Sequence, residues 1–176
     1  MKPITIWTIG HSTRTEDKFK DILLAHEIKG LVDVRSFPGS RRLPHFNKEN
    51  LSESLPRIGI EYYHEPRLGG RRRPRKDSKN TGLRNDGFRG YADHMETPEF
   101  SEGIDALLKI AKEKRTAFMC AEAFYLRCHR SLISDYLQTL GHDVIHIVDA
   151  NSVKEHFYTS AARVNAKGKL SYPGLF

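Results

Sequence analysis

Ile4-Thr5-Ile6-Trp7-Thr8-Ile9-Gly10-His11-Ser12 decides the fold: a short run of β-branched and apolar residues stops at a glycine and gives way to polar side chains. The pattern reads as a buried strand ending at Gly10. Thr13 with Glu16 three residues on forms a capping box. Phe19, Ile22, Leu23 and His26 then recur on one helical face before Gly30. Leu31 to Val34 gives a second strand, and Pro38, Gly39 and Pro44 keep the Arg35 to Phe46 stretch irregular. Asn47 caps a helix that turns Leu51 and Leu55 inward, and Ile60 to Tyr63 is a third strand.

Farther along, Asp86 opens a short helix with Phe88, Tyr91, Ala92 and Met95 at helical spacing. Thr97 and Pro98 start a longer one, striped by Phe100, Ile104, Leu107, Leu108 and Ala111. Thr116 to Cys120 is the fourth strand, a helix through Leu132, Ile133, Tyr136 and Leu137 stops at Gly141, and Val144 to Val148 is the fifth. Strands separated by helices imply right-handed crossovers. The fold class is therefore α/β: a single domain over residues 1–176, with a mainly parallel sheet of about five strands and helices on both faces. Residues 151–176 show no such rhythm, and only an aromatic end around Tyr172 is expected to pack on the body.

A chain of 176 residues, 38% hydrophobic, is the size of one domain with a real core. No run approaches the roughly 20 apolar residues of a membrane span, and the signal-peptide pattern is absent at the start. The expectation is a cytoplasmic protein with no membrane partner, whose two cysteines, Cys120 and Cys128, remain thiols. The net charge of +7 sits in one place. Residues 67–89 hold nine bases and two acids, while the remainder balances at 20 and 20. Such a basic loop suits a polyanion, with Arg71, Arg72, Arg73, Arg75 and Lys76 as nucleic-acid contacts; a merely solvated loop is the alternative.

In open parallel sheets ligands gather outside the carboxyl ends of the strands. That rule selects His11 and Ser12 after strand one and Asp33 and Arg35 at strand two. It also selects Cys120 and Glu122 after strand four, ahead of Cys128, His129 and Arg130. These pieces, Thr8-Ile9-Gly10-His11-Ser12, Leu31-Val32-Asp33-Val34-Arg35 with Pro38 and Ser40, Leu68-Gly69-Gly70, and Cys120-Ala121-Glu122 with Cys128-His129-Arg130, together resemble a widespread bacterial and archaeal family, the domain-of-unknown-function family numbered 488. The resemblance implies no reaction. It selects the same rim.

Cys128, at a helix start among Arg127, His129 and Arg130, should favour its thiolate and is the candidate nucleophile; simple burial is the competing explanation. His129 is a poor base for its own neighbour, because adjacent helical residues diverge by about 100°. His11 and Glu122 are accordingly the candidate acid and base. Asp33 and Arg35 alternate on one strand face and either form a structural pair or orient substrate. Arg35, Arg41, Arg127, His129 and Arg130 offer phosphate clamps, with Ser12 and Ser40 as further polar donors. One residue too many separates Cys120 from Arg127 for a tyrosine-phosphatase loop. The wide cysteine spacing also lacks the paired pattern of zinc modules, so no metal and no cofactor is expected. The resulting expectation is an enzyme acting on a phosphate-bearing small molecule, nucleotide or nucleic acid; the alternative is a nucleic-acid-binding module without catalysis.

Overall fold

Strand β1 (Thr5–Gly10) pairs in parallel with two neighbours distant in sequence, and the sheet grows from there in a computed structural model that describes residues 2–175. After β1 come α1 (Glu16–Ala25), β2 (Gly30–Asp33), α2 (Lys48–Ser54), β3 (Glu61–His64), α3 (Asp86–His94) and α4 (Pro98–Glu113). Then follow β4 (Thr116–Cys120), α5 (Arg130–Thr139), β5 (Asp143–Asp149) and β6 (Ser152–Glu155), with β7 (Arg163–Val164) and β8 (Leu170–Ser171) as a small separate hairpin. The six-stranded sheet runs β3-β2-β4-β1-β5-β6 and is parallel except for the β5–β6 edge pair. Among the described residues, no helix is long and apolar enough to cross a membrane.

Alternation along the strands sorts the core into two layers. Trp7, Ile9, Leu31, Ala117 and Met119 face α1 and α2, whose Phe19, Ile22, Leu23, Leu51 and Leu55 are buried against them. Ile6, Val32, Phe118 and Val144 face the opposite way, onto Tyr91, Phe100, Ile104, Leu107 and Leu132 of α3, α4 and α5. Helices therefore cover both faces, and near-continuous apolar strands follow from burial on both sides. The chain leaves β1 and β2 toward one layer and β4 toward the other. A crevice opens between their carboxyl ends, where the crossovers part.

Local signals shift by a residue or two. Thr15, not Thr13, caps α1 by accepting from the Lys18 amide, and Asn85, not Asp86, caps α3 by accepting from the Phe88 amide. Asn47 precedes α2 but turns its side-chain oxygen to the Ser40 amide instead, which ties the loop after β2 to the helix. Thr97 caps α4 as its sequence pattern indicates. The sheet gains β6, which the sequence reading does not anticipate, because its exposed Ser-Val-Lys-Glu stretch carries little apolar signal.

Candidate functional site

At the crevice, Gly10 brings β1 so close to the β4–α5 loop that a Cβ there would lie 1.7 Å from the Glu122 carbonyl oxygen. The amides of His11 and Ser12 continue the pairing onto the carbonyls of Cys120 and Ala121, each at 2.9 Å. A cleft of about 430 Å³ results. Its lining includes His11, Arg35, Ser36 and Ser40, then Gly70 and Arg71, and finally Cys120, Glu122, Cys128 and His129.

Arg35 is anchored from several directions. Its Nε and Nη2 donate to the two carboxylate oxygens of fully buried Asp33 at 2.9 and 2.7 Å, and Nη2 also donates to the Phe46 carbonyl at 2.6 Å. Tyr62 donates to the same carboxylate at 2.5 Å. His11 accepts from Arg35 Nη1 through Nε2 at 3.2 Å, while its Nδ1 meets the Ser12 carbonyl at 2.7 Å and its ring stacks on Phe46. Burial, with the Arg35 charge adding to it, lowers His11 to about 4 against that backbone bond. Both nitrogens of His11 are thus engaged. It lines the cleft and holds the Arg35 guanidinium through Nε2.

A pair of thiols lines the same cleft. The sulfurs of Cys120 and Cys128 are 3.1 Å apart, both residues are buried, and neither is in a disulfide. Arg130, only 1% exposed, donates from Nε to Cys120 Sγ at 3.0 Å and from its backbone amide to Cys128 Sγ at 3.3 Å. Its Nη2 donates to the Glu122 carbonyl at 2.6 Å. No carboxylate pairs with Arg130 among the described residues. The Cys120 hydrogen bond, and then the Arg130 charge, pull Cys128 below the usual thiol range against its burial. Burial pushes Cys120 well up. The pair therefore reads as a Cys120 thiol donating to a Cys128 thiolate, with Arg130 as counter-ion.

The remaining guanidinium nitrogen leads deeper. Arg130 Nη1 donates to Thr8 Oγ1 at 3.0 Å; Thr8 meets His146 Nδ1 at 2.7 Å; His146 Nε2 meets His156 Nδ1 at 2.9 Å; His156 Nε2 meets buried Asp135 at 2.8 Å. Asp135 also accepts from the hydroxyls of Tyr172 and Thr159. With one proton on each ring, every bond in this chain points from the guanidinium toward the carboxylate. Tyr125 stacks on His146 with ring centroids 3.5 Å apart, and burial, with the nearby Arg130 charge, lowers His146 to about 2. No motif marks these histidines. The only sequence signal is a histidine on the core-facing parity of β5, two residues from buried Val144.

Other expected residues are placed as follows. His129 borders the cleft, is lowered to about 4 by burial, and leaves its buried Nε2 without a hydrogen-bond partner among the described residues. Ser40 accepts from the amides of Arg42 and Leu43 and so shapes its loop. Ser12 has a left-handed backbone, φ 53°, and turns the chain from β1 toward α1 without lining the cleft. Arg41 and Arg127 are exposed and lie off the cleft wall. In the basic loop, Arg72 pairs with Glu99, and Arg75 with Glu96 and Asp77, whereas Arg71, Arg73 and Lys76 have no carboxylate partner among the described residues. Buried Asp93 clasps this loop through the Arg75 amide, Ser78 and Asn80. Among the described residues, no group of three or more His, Cys, Asp or Glu side chains is placed to hold a metal ion.

A doubly wound α/β architecture carrying a thiol pair and two buried or half-buried arginines at its carboxyl rim defines the class. The family model described as Domain of unknown function DUF488 matches residues 15–137, and the chain belongs to that family. The match spans α1 through most of α5 and leaves His11, His146 and His156 outside it. No curated protein and no solved structure matches the chain.

Proposed function

We propose that the protein is an enzyme acting on a phosphate-bearing substrate in the rim cleft, with the Cys128 thiolate as nucleophile. The observation that carries this reading is the buried Arg130, which lacks a carboxylate and has two sulfurs as neighbours. An arginine so placed favours a thiolate at neutral pH. Arg71, which lines the same cleft and has no carboxylate partner among the described residues, supplies charge for the phosphate oxygens, while Arg35, paired with Asp33, adds a hydrogen-bond donor. In the reaction, the Cys128 electron pair forms a sulfur–phosphorus bond as the bond to the leaving oxygen breaks, and Glu122 passes a proton to that oxygen. Water then attacks the phosphorus, gives its proton back to Glu122, and restores the thiolate. Glu122 takes this part because it is the only carboxylate lining the cleft among the described residues. A reducing compartment such as the cytoplasm would keep both thiols free.

Nucleoside phosphates and p-nitrophenyl phosphate, incubated with wild type and Cys128→Ser and quenched in acid, test the reading. Wild type is expected to turn over at least one of them, to carry a phosphoryl or nucleotidyl adduct on Cys128, and to lose about 10³-fold or more in Cys128→Ser. Equal turnover by the serine variant, or no turnover of any substrate, would overturn it. The second reading, a nucleic-acid-binding module without catalysis, draws on the carboxylate-free Arg71, Arg73 and Lys76; salt-dependent binding without any turnover would favour it.

A further inference from the structure

The rim cleft does not end at its own walls. Gly70, Arg71, Cys128 and His129 are shared with a neighbouring hollow of about 260 Å³ that reaches Asn85, Phe88 and Arg127. Phe88 is in turn shared with a hollow of about 450 Å³ walled by Tyr125, Phe157 and Tyr158. Ser160 joins that one to a third, of about 310 Å³, which holds Arg84 and Arg163. The three hollows thus adjoin in succession, each sharing a lining residue with the next, along a groove leading away from the thiols.

Its chemistry alternates. Arg71 and Arg127 stand near the cleft, the aromatic rings occupy the middle, and Arg84 and Arg163 stand at the far end. No aspartate or glutamate lines any of the three hollows, and none of these four arginines has a carboxylate partner among the described residues. The rings are not spent on the core, for Phe157 is 73% and Tyr158 41% exposed. A groove of free cations with open aromatic faces between them matches a flexible polyanion whose flat groups can stack. A duplex keeps its bases stacked inside, and a flat bilayer cannot follow a concave path.

We infer that this groove binds single-stranded nucleic acid and delivers one of its phosphates to the cleft. The inference rests on the catalytic reading only for which end of the strand reacts; binding itself needs no thiol. Fluorescence anisotropy with a labelled dodecathymidylate, the matching duplex and phosphatidylserine vesicles, each titrated with Cys128→Ser protein, tests it. The single strand is expected to bind more tightly than either competitor, with affinity falling as salt rises. A Phe157→Ala/Tyr158→Ala pair should weaken it about tenfold or more. An Arg84→Ala/Arg163→Ala pair should weaken it and flatten the salt slope. Both pairs should leave wild-type turnover of a mononucleotide unchanged. Equal or tighter binding of duplex or vesicles, or loss confined to the arginine pair, would overturn the inference. Strand binding without Cys128-dependent turnover would remove the catalytic reading and leave the groove. Mononucleotide turnover without strand binding would remove the groove alone.

Discussion

Arg130 shows how much one side chain can organise. Its guanidinium is surrounded by Cys120, Thr8 and the Glu122 carbonyl, and its own backbone amide reaches Cys128. A buried cation is tolerable only where donors are satisfied and charge is answered nearby. Arg130→Met removes the cation, and Cys120→Ala removes the thiol that donates to Cys128; both are expected to raise the apparent pKa of Cys128. A pH titration of thiol alkylation is the check. Wild-type Cys128 should label with a midpoint below the roughly 8.5 of a free cysteine, and each variant should move that midpoint upward. An unmoved midpoint in Arg130→Met would show that the guanidinium does not set the thiolate. The sequence places Arg130 on the rim, but it gives the same standing to Arg127. Only packing separates them, with Arg130 inward from the first turn of α5 and Arg127 exposed on the loop before it.

At the scale of elements, the site depends on β1 and the β4–α5 loop touching at Gly10. Gly10→Ala would force a methyl group against the Glu122 carbonyl and within 2.9 Å of Arg130 Nη2. The loop must then move, at a cost of about 3 kcal/mol as an overpacked contact, with the cleft distorted as well. Urea unfolding measures the first effect and Cys128 labelling the second; a variant as stable as wild type with unchanged labelling would contradict the account. The strands and the helix stripes are legible in sequence because β-branched runs and 3.6-residue spacing are local signals. Asp33 with Arg35 is legible for the same reason. The chain from Thr8 through His146 and His156 to Asp135 is not, since Thr8 and His146 lie 138 positions apart and neither sits in a motif. The basic loop is half legible: its charge is plain, but Glu96 and Glu99 answer part of it from the turn after α3 and the first turn of α4.

Across the whole molecule, several histidines are held uncharged by burial. His11 and His129 are lowered from 6.5 to about 4, and His146 to about 2. The unfolded chain takes up protons at these rings as pH falls through about 6.5, while the folded protein resists. Their contribution is therefore complete above that pH and is lost as it falls, down to about 4 for His11 and His129 and farther for His146. Each of the first two amounts to roughly 3 kcal/mol once fully lost. Stability measured by urea unfolding should fall steeply between about pH 6.5 and 4. His11→Asn and His129→Asn should each flatten that fall, and a flat profile in wild type would refute the assignment.

The hydrogen-bond chain behind Arg130 also sets an order in time. A ribosome delivers both cysteines and Arg130 before His146, His156 or Tyr172 exists, and Tyr172 lies 42 positions after Arg130. Thr8, Cys120 and Glu122, which hold the guanidinium directly, are already made by then, but at about 5–20 residues per second the rest of the hydrogen-bond chain is complete only roughly 2–8 s later. During synthesis, then, Arg130 can reach its direct partners before the two histidines that tie it to Asp135 exist, and the middle of the polar chain is filled after both its ends.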